Sequence, residues 1–146
     1  AFSAAVRSHQ HRFRVIYGDT DMMGVVYYAN YLRYFEAGRS ELLRASSFAY
    51  KEMEENGYLL PVAEAHVKYH ASATYDDELE LTTMVDRLRF SSVHMSYRLT
   101  RVADETLIAT GRTVHACVNS KGRVCRMPEA FREALADASE VDANES

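Results

Sequence analysis

The chain changes its dominant pattern at Gly57. Before that glycine the dominant pattern has a helical period. Tyr31, Phe35, Gly38, Leu42 and Ala45 recur at spacings of three and four, which puts them on one face of an α-helix from about Asn30 to Ser46. The opposite face carries Arg33, Ser40 and Arg44, as a solvated face does. Gly38 lies on the apolar face, although glycine costs a helix about 1 kcal/mol against alanine. Its expected use is close approach of another backbone, which suits a helix pressed against a sheet. A second, shorter helix is expected from about Ala49 to Asn56, stopped by Gly57.

After Gly57 the pattern is that of strands. Four are expected, over 58–73, 78–89, 93–102 and 106–119, rich in Val, Thr, Tyr and Leu. Period-two alternation is clearest at Leu79, Leu81, Thr83 and Val85. Turns at Tyr75-Asp76-Asp77, Phe90-Ser91-Ser92, Ala103-Asp104-Glu105 and Asn119-Ser120-Lys121-Gly122 separate the strands, and connections this short predict antiparallel neighbours. Upstream, residues 11–18 alternate in the same way and read as a further strand. Pro128 is expected to open a last helix over 129–136, with a loose leader at about 1–10 and a frayed acidic tail from Asp137.

One strand, one long helix and then four strands define an α+β chain. The helix must bury its apolar stripe, and the only large surface on offer is the antiparallel sheet. At 146 residues the chain suits a single domain, 1–146. A sheet of about five strands leaves edges, which pairing with a second copy commonly covers. The net charge of −4, from 17 basic and 21 acidic residues, leaves no basic footprint for nucleic acid. No apolar run approaches a transmembrane length. The opening Ala1-Phe2-Ser3-Ala4-Ala5-Val6 lacks the basic start of a signal peptide. Cys117 and Cys125, the two cysteines, do not make a disulfide framework, so a reducing cytoplasm is the expected location.

Between the first strand and the long helix lies Tyr17-Gly18-Asp19-Thr20-Asp21-Met22-Met23-Gly24-Val25-Val26-Tyr27-Tyr28-Ala29-Asn30-Tyr31. Carboxylates just ahead of a helix sit where unpaired N–H groups and the positive end of the dipole favour negative charge. The same geometry can hold an oxyanion during a reaction. One acid can serve as a cap while the other stays free. A calcium loop is a poor match. Asp19, Asp21 and Gly24 fall at its first, third and sixth positions, but Met23 and Asn30 stand where ligands are needed.

This stretch, followed by Tyr34-Phe35-Glu36 and Arg39, resembles the signature of the hotdog-fold acyl-CoA thioesterases. The likeness is strongest to the 4-hydroxybenzoyl-CoA thioesterase family and its Tol-Pal-associated branch, and it runs from about Arg12 to about Pro128. It implies a hotdog fold, in which the sheet wraps around one central helix. It implies a homodimer or homotetramer with active sites between subunits, and hydrolysis of an acyl-CoA thioester. Coenzyme A is then part of the substrate and no separate cofactor or metal is needed; acyl carrier protein is the alternative carrier. The resemblance makes Asp21 the catalytic carboxylate, attacking the thioester carbonyl or activating the water that does. An aspartate with an ordinary pKa of roughly 3.9 is ionised for either role. Tyr28 stands where relatives carry His or Tyr, and either touches the carbonyl or packs at the helix start. Arg87, Arg89, Ser91 and Ser92 lie at a strand end and turn, the kind of place where the family puts its coenzyme A site.

Other constellations are weaker. His66 and His70 on a strand would stand roughly 13 Å apart, too far to share a metal. His115 and Cys117 share a strand face, which allows a Cys–His nucleophile but more often means packing. Glu36 and Arg39 can meet at i, i+3 on the helix. Two other classes compete with hydrolysis: a binder of acyl-CoA or acyl carrier protein, and a hotdog dehydratase or hydratase. The last needs a catalytic His, and none occurs in the first turn or the long helix.

Overall fold

The computed structural model describes residues 8–45, 50–133 and 135. The elements are β1 (Ser8–Arg14), a 3₁₀ turn (Tyr17–Asp19), α1 (Asn30–Ala45), α2 (Tyr50–Glu55), β2 (Val62–Tyr69), β3 (Glu78–Leu88), β4 (Ser92–Arg101) and β5 (Leu107–Ala116). Residues 129–133 add a short helical turn. The strands form one antiparallel sheet in the order β1-β3-β4-β5-β2. This is the α+β hotdog arrangement: α1 lies in the concave face of the curved sheet.

The first strand starts earlier than its sequence pattern predicts. Ser8, His9 and Gln10, read as leader, pair with Met84, Thr83 and Thr82 of β3, whereas residues 15–18 have left the sheet. Met84 and its neighbours supply a ladder that the local pattern does not reveal. The acidic tail from Asp137 lies outside the described residues.

One connection also departs from expectation. The turn at 75–77 does not join sheet neighbours, because β2 is an edge strand next to β5 and β3 lies beside β1. Residues 70–77 instead cross the end of the sheet. His70 and Ala71 N–H donate to Ile108 C=O, and Ala73 C=O accepts from Val26. Asp76 N–H donates to Val15 C=O. The crossing segment is thereby stitched to the aspartate loop.

Packing explains the helix's glycine. A Cβ on Gly38 would overlap the Leu81 and Thr83 side chains of β3, so α1 seats directly on the sheet. The close neighbours are side chains, not backbone. Gly111 on β5 does the same for the other partner, leaving room for the Phe35 ring. Phe35 stacks on Tyr97 with centroids 4.4 Å apart and planes 6° from parallel. Phe35, Leu42, Met53, Leu79, Leu81, Leu99 and Ile108 are fully buried, each worth roughly 1.5–3 kcal/mol in transfer. Met127, Phe131 and Leu135 close the core at the far end of α1. Among the described residues no helix is long and apolar enough to cross a membrane.

Candidate functional site

The two aspartates of the loop have different fates. Asp19 is 3% exposed. Its carboxylate accepts from Tyr34 OH at 2.9 Å and is ion-paired with Arg33, both from α1. Its main-chain oxygen accepts from Asn30 Nδ2 and Tyr27 N–H, each at 2.9 Å. Asp19 therefore fastens the loop to the first turns of the helix. Burial, then the bond to Asp19, pushes the Tyr34 phenol up from its ordinary pKa, so it remains a donor.

Asp21 is partly exposed, in a turn that Gly24 closes with a φ of 81°. Its N–H donates to Val25 C=O and its own C=O accepts from Gly24 N–H, both at 2.9 Å. One carboxylate oxygen accepts from Met23 N–H at 2.8 Å. The other has no hydrogen-bond partner among the described residues. The carboxylate lies outside both concavities described below. It stands instead at the rim of an exposed surface of Met22, Met23, Tyr27, Tyr28 and Tyr69. Tyr28 is 61% exposed; its ring meets Tyr27 at 4.6 Å, and its carbonyl accepts from Tyr69 OH at 3.2 Å. The Tyr27 phenol is raised, first by its hydrogen bond to Tyr28 and least by the charge of Asp21.

Arg87, Arg89, Ser91 and Ser92 lie at the opposite end of the molecule. Asp21 sits beyond the Glu78 end of β3, and ten strand steps separate Glu78 from Leu88, roughly 33 Å. A single chain does not bring the two sets together. Nor do the four cluster tightly. Arg87 faces the outer side of the sheet, in a concavity of about 300 Å³ with Asp86, His94 and Arg112. Arg89 and Ser92 close the β3–β4 turn through their main chain at 2.9 Å, and Ser91 C=O accepts from Cys117 N–H.

The structure adds groups at this turn that sequence reasoning missed. Exposed Phe90 has the Arg126 and Arg132 guanidiniums 4.4 and 4.6 Å from its ring centroid. Arg14, Arg33 and Arg101 are paired with acids near the aspartate loop. Among the described residues Arg87, Arg89, Arg112, Arg126 and Arg132 are in no ion pair. Excess positive charge therefore collects at the β3–β4 end of a chain whose net charge is −4. The one signal in sequence was the recurrence of arginine after Gly122, at Arg123, Arg126 and Arg132.

A second concavity, about 290 Å³, opens between the C-terminal half of α1, the start of β2 and the sheet. Its walls include Leu43, Val93, Met95 and Phe131, with Glu36, Arg39 and His115 as its charged or titratable members. Glu36 and Arg39 are not ion-paired with each other among the described residues. Arg39 donates to Tyr97 OH at 3.1 Å, Tyr97 OH meets Thr113 Oγ1 at 2.7 Å, and Thr113 Oγ1 meets His115 Nε2 at 2.8 Å. His115 Nδ1 lies 3.1 Å from Leu60 C=O. Burial, opposed by the bond to Leu60 C=O and helped slightly by the Arg39 charge, lowers His115 to about 4, so the ring is neutral at pH 7. Neither member of the Cys–His pair has the other as its hydrogen-bond partner. His115 is bonded to Leu60 and Thr113, and Cys117 lies 3.8 Å from Cys125 Sγ, its thiol pushed up to about 12 by burial and by that neighbour.

Comparison with known proteins fits this fold. The family model described as the thioesterase-like superfamily matches residues 15–135. The chain belongs to that superfamily. It is 37% identical over 108 residues to the Haemophilus influenzae acyl-CoA thioesterase YbgC, covering 73% of this chain and 77% of that protein. It is 34% identical over 106 residues to the Escherichia coli acyl-CoA thioester hydrolase YbgC, covering 73% and 78%. The crystal structure of a DHNA-CoA thioesterase from Staphylococcus aureus superposes with a TM-score of 0.85 at 26% identity, covering 94% of this chain and 93% of that one.

Proposed function

We propose that the protein hydrolyses an acyl-CoA thioester to a free acid and CoA-SH, with Asp21 as nucleophile or general base. The observation that carries this reading is the Asp21 carboxylate. One oxygen is held by Met23 N–H, the other is unengaged, and both stand at an aromatic rim beside the start of α1. As nucleophile, the free oxygen bonds to the thioester carbon and the C–S bond breaks, giving a mixed anhydride and a thiolate that takes up a proton. Water then cleaves the anhydride. As base, Asp21 takes the proton of the attacking water instead. The main-chain N–H groups of Tyr28 and Ala29 donate to no main-chain acceptor among the described residues, which suits them to an oxyanion. The Tyr28 ring, mostly exposed, then lies against the substrate.

The reading needs two copies. Almost all of β2 is exposed, and its outer edge is unpaired among the described residues. Its Tyr69 end carries Tyr28 and Asp21, while its Val62 end lies beside the β3–β4 turn through β5 and β4. Antiparallel pairing of β2 with its symmetry mate sets the Asp21 end of one protomer against the arginine end of the other. Arg87, Arg89, Ser91 and Ser92, joined by Arg126 and Arg132, then face the phosphates of a coenzyme A whose thioester reaches the partner's loop. A dimer, or two dimers in a tetramer, in the reducing cytoplasm completes the proposal; acyl carrier protein presents the same phosphopantetheine arm.

Thiol release measured over short, long and aromatic acyl-CoAs tests the reaction. Release from one or more is expected. No release from any, with coenzyme A still bound, would make the protein a binder, and hydration of an enoyl-CoA without thiol release would make it a hydratase.

A further inference from the structure

Polar groups in a core are tolerated when each finds its partner, and the chain Arg39–Tyr97–Thr113–His115 has only one self-consistent arrangement. A carbonyl can only accept, so His115 Nδ1 carries the proton and donates to Leu60. Nε2 of the neutral ring then accepts, and Thr113 Oγ1 is its donor. That commits Thr113 to accept from Tyr97 OH, and Tyr97 to accept from Arg39. Every proton points the same way along the chain, away from Arg39. Tyr97, Thr113 and His115 are each at most 3% exposed, and Phe35 clamps the Tyr97 ring face to face.

The product of this arrangement is a fixed guanidinium. Arg39 uses one N–H group on Tyr97, and its remaining donors have no acceptor among the described residues. They sit in the lining of a concavity whose other walls include Leu43, Val93, Met95 and Phe131. A solvated arginine needs no such buttress. Tyr97, Thr113 and His115 could be Phe, Val and Leu at no cost in polar burial if they served packing alone.

The concavity is continuous in direction with the reacting end. Leu32, Glu36, Arg39 and Leu43 follow one another at three or four residues along the same side of α1, and Tyr28 stands two residues before the helix starts. Leu32 is 42% exposed on that stripe. An acyl group lying along the helix from the thioester therefore meets leucine first and arginine at its far end.

We propose that this concavity is the acyl subsite and that Arg39, held by Tyr97, Thr113 and His115, selects acyl groups bearing an oxygen acceptor at the end remote from the thioester. The inference rests on the thioesterase reading above. The shared chemistry is an oxygen lone pair facing a guanidinium: a terminal hydroxyl supplies a neutral one and a terminal carboxylate a charged one. An unsubstituted acyl group leaves the guanidinium facing hydrocarbon, the situation that enforces discrimination in enzymes.

The test uses matched acyl-CoA sets, aromatic and straight-chain, each with a terminal hydroxyl, a terminal carboxylate or neither. Thioether analogues of the same sets, which cannot be hydrolysed, give binding ratios in parallel. Wild-type protein should favour one oxygenated class over its unsubstituted match by about tenfold or more in kcat/KM and in Kd. Hydroxyl and carboxylate arms identify which source is used. Arg39→Met should bring both ratios close to one. Thr113→Val, which keeps the shape but breaks the chain, should reduce them without abolishing them, and serves should Arg39→Met fail to fold. Ratios near one in the wild type, or ratios unaltered in either variant, overturn the inference. Turnover without discrimination sinks this selection alone, while binding discrimination without turnover sinks the hydrolysis and leaves the selection standing.

Discussion

Tyr34 OH donates to Asp19 Oδ2 across 2.9 Å inside the protein, and this bond divides the labour between the two aspartates of the loop. Asp19 is spent on α1. Asp21, two residues on, keeps an oxygen with no partner among the described residues. The pair looks equivalent in sequence, but the fold makes one an anchor and leaves the other with an unengaged oxygen.

The anchor should be visible as stability. Tyr34→Phe leaves a nearly buried carboxylate oxygen without its phenol donor, which costs roughly 1–3 kcal/mol. Urea unfolding measures it. An unchanged midpoint would mean that the loop does not depend on this bond.

Gly38→Ala separates two opposing effects. Alanine gains about 1 kcal/mol in helix propensity. Its Cβ overlaps the buried, closely packed Leu81 and the stiff, β-branched Thr83, and overpacking costs roughly 1–3 kcal/mol. Packing should win, giving a lower thermal midpoint for the alanine protein. A raised midpoint would mean that α1 has slack against the sheet.

His115 gives stability a pH dependence. Burial holds its folded pKa at about 4, against roughly 6.5 in the unfolded chain. Between those values the unfolded state binds the extra proton, so stability is complete above about pH 6.5 and is lost as the pH falls towards 4. The contribution is at most about 3 kcal/mol. Unfolding free energies measured from pH 7 to 4.5 should fall more steeply for the wild type than for His115→Gln. Parallel curves would contradict the burial of this ring.

An active site shared between protomers can be rebuilt from two broken ones. Asp21→Asn and a chain with Arg89, Arg126 and Arg132 changed to Ala should each be impaired alone. Co-expressed, they should recover roughly a quarter of wild-type activity, because half of the dimers are mixed and half of the sites in those are intact. Recovery no greater than the sum of the separate proteins would mean that the two sets of groups do not form one site across the dimer.

Much of the fold was legible because it is written in local periods. The three–four spacing of Tyr31, Phe35, Gly38 and Leu42 marked α1, and the alternation of Leu79, Leu81, Thr83 and Val85 marked β3. Gly38 even announced a close approach, though the neighbours proved to be side chains. Strand order was not legible. Nothing near Tyr69 or Thr74 says that β2 pairs with β5 and that the chain crosses the sheet before entering β3. The same limit applies to the site. Asp21 stood out because its motif is contiguous. Phe90 with Arg126 and Arg132, and Arg39 with Tyr97, Thr113 and His115, are assembled from separate elements. His115 drew notice only for its neighbour on the same strand face, Cys117. Its real partners are the Leu60 carbonyl and Thr113.

Replacing one oxygen of Asp21 by nitrogen keeps the turn's shape and removes the charge. Thiol release by Asp21→Asn, measured on the acyl-CoA that the wild type turns over fastest, should fall on the order of a thousandfold in kcat, with the thermal midpoint and coenzyme A binding essentially unaltered. Turnover by the folded Asn protein at the wild-type rate would contradict the role of this carboxylate and move the chemistry to another group.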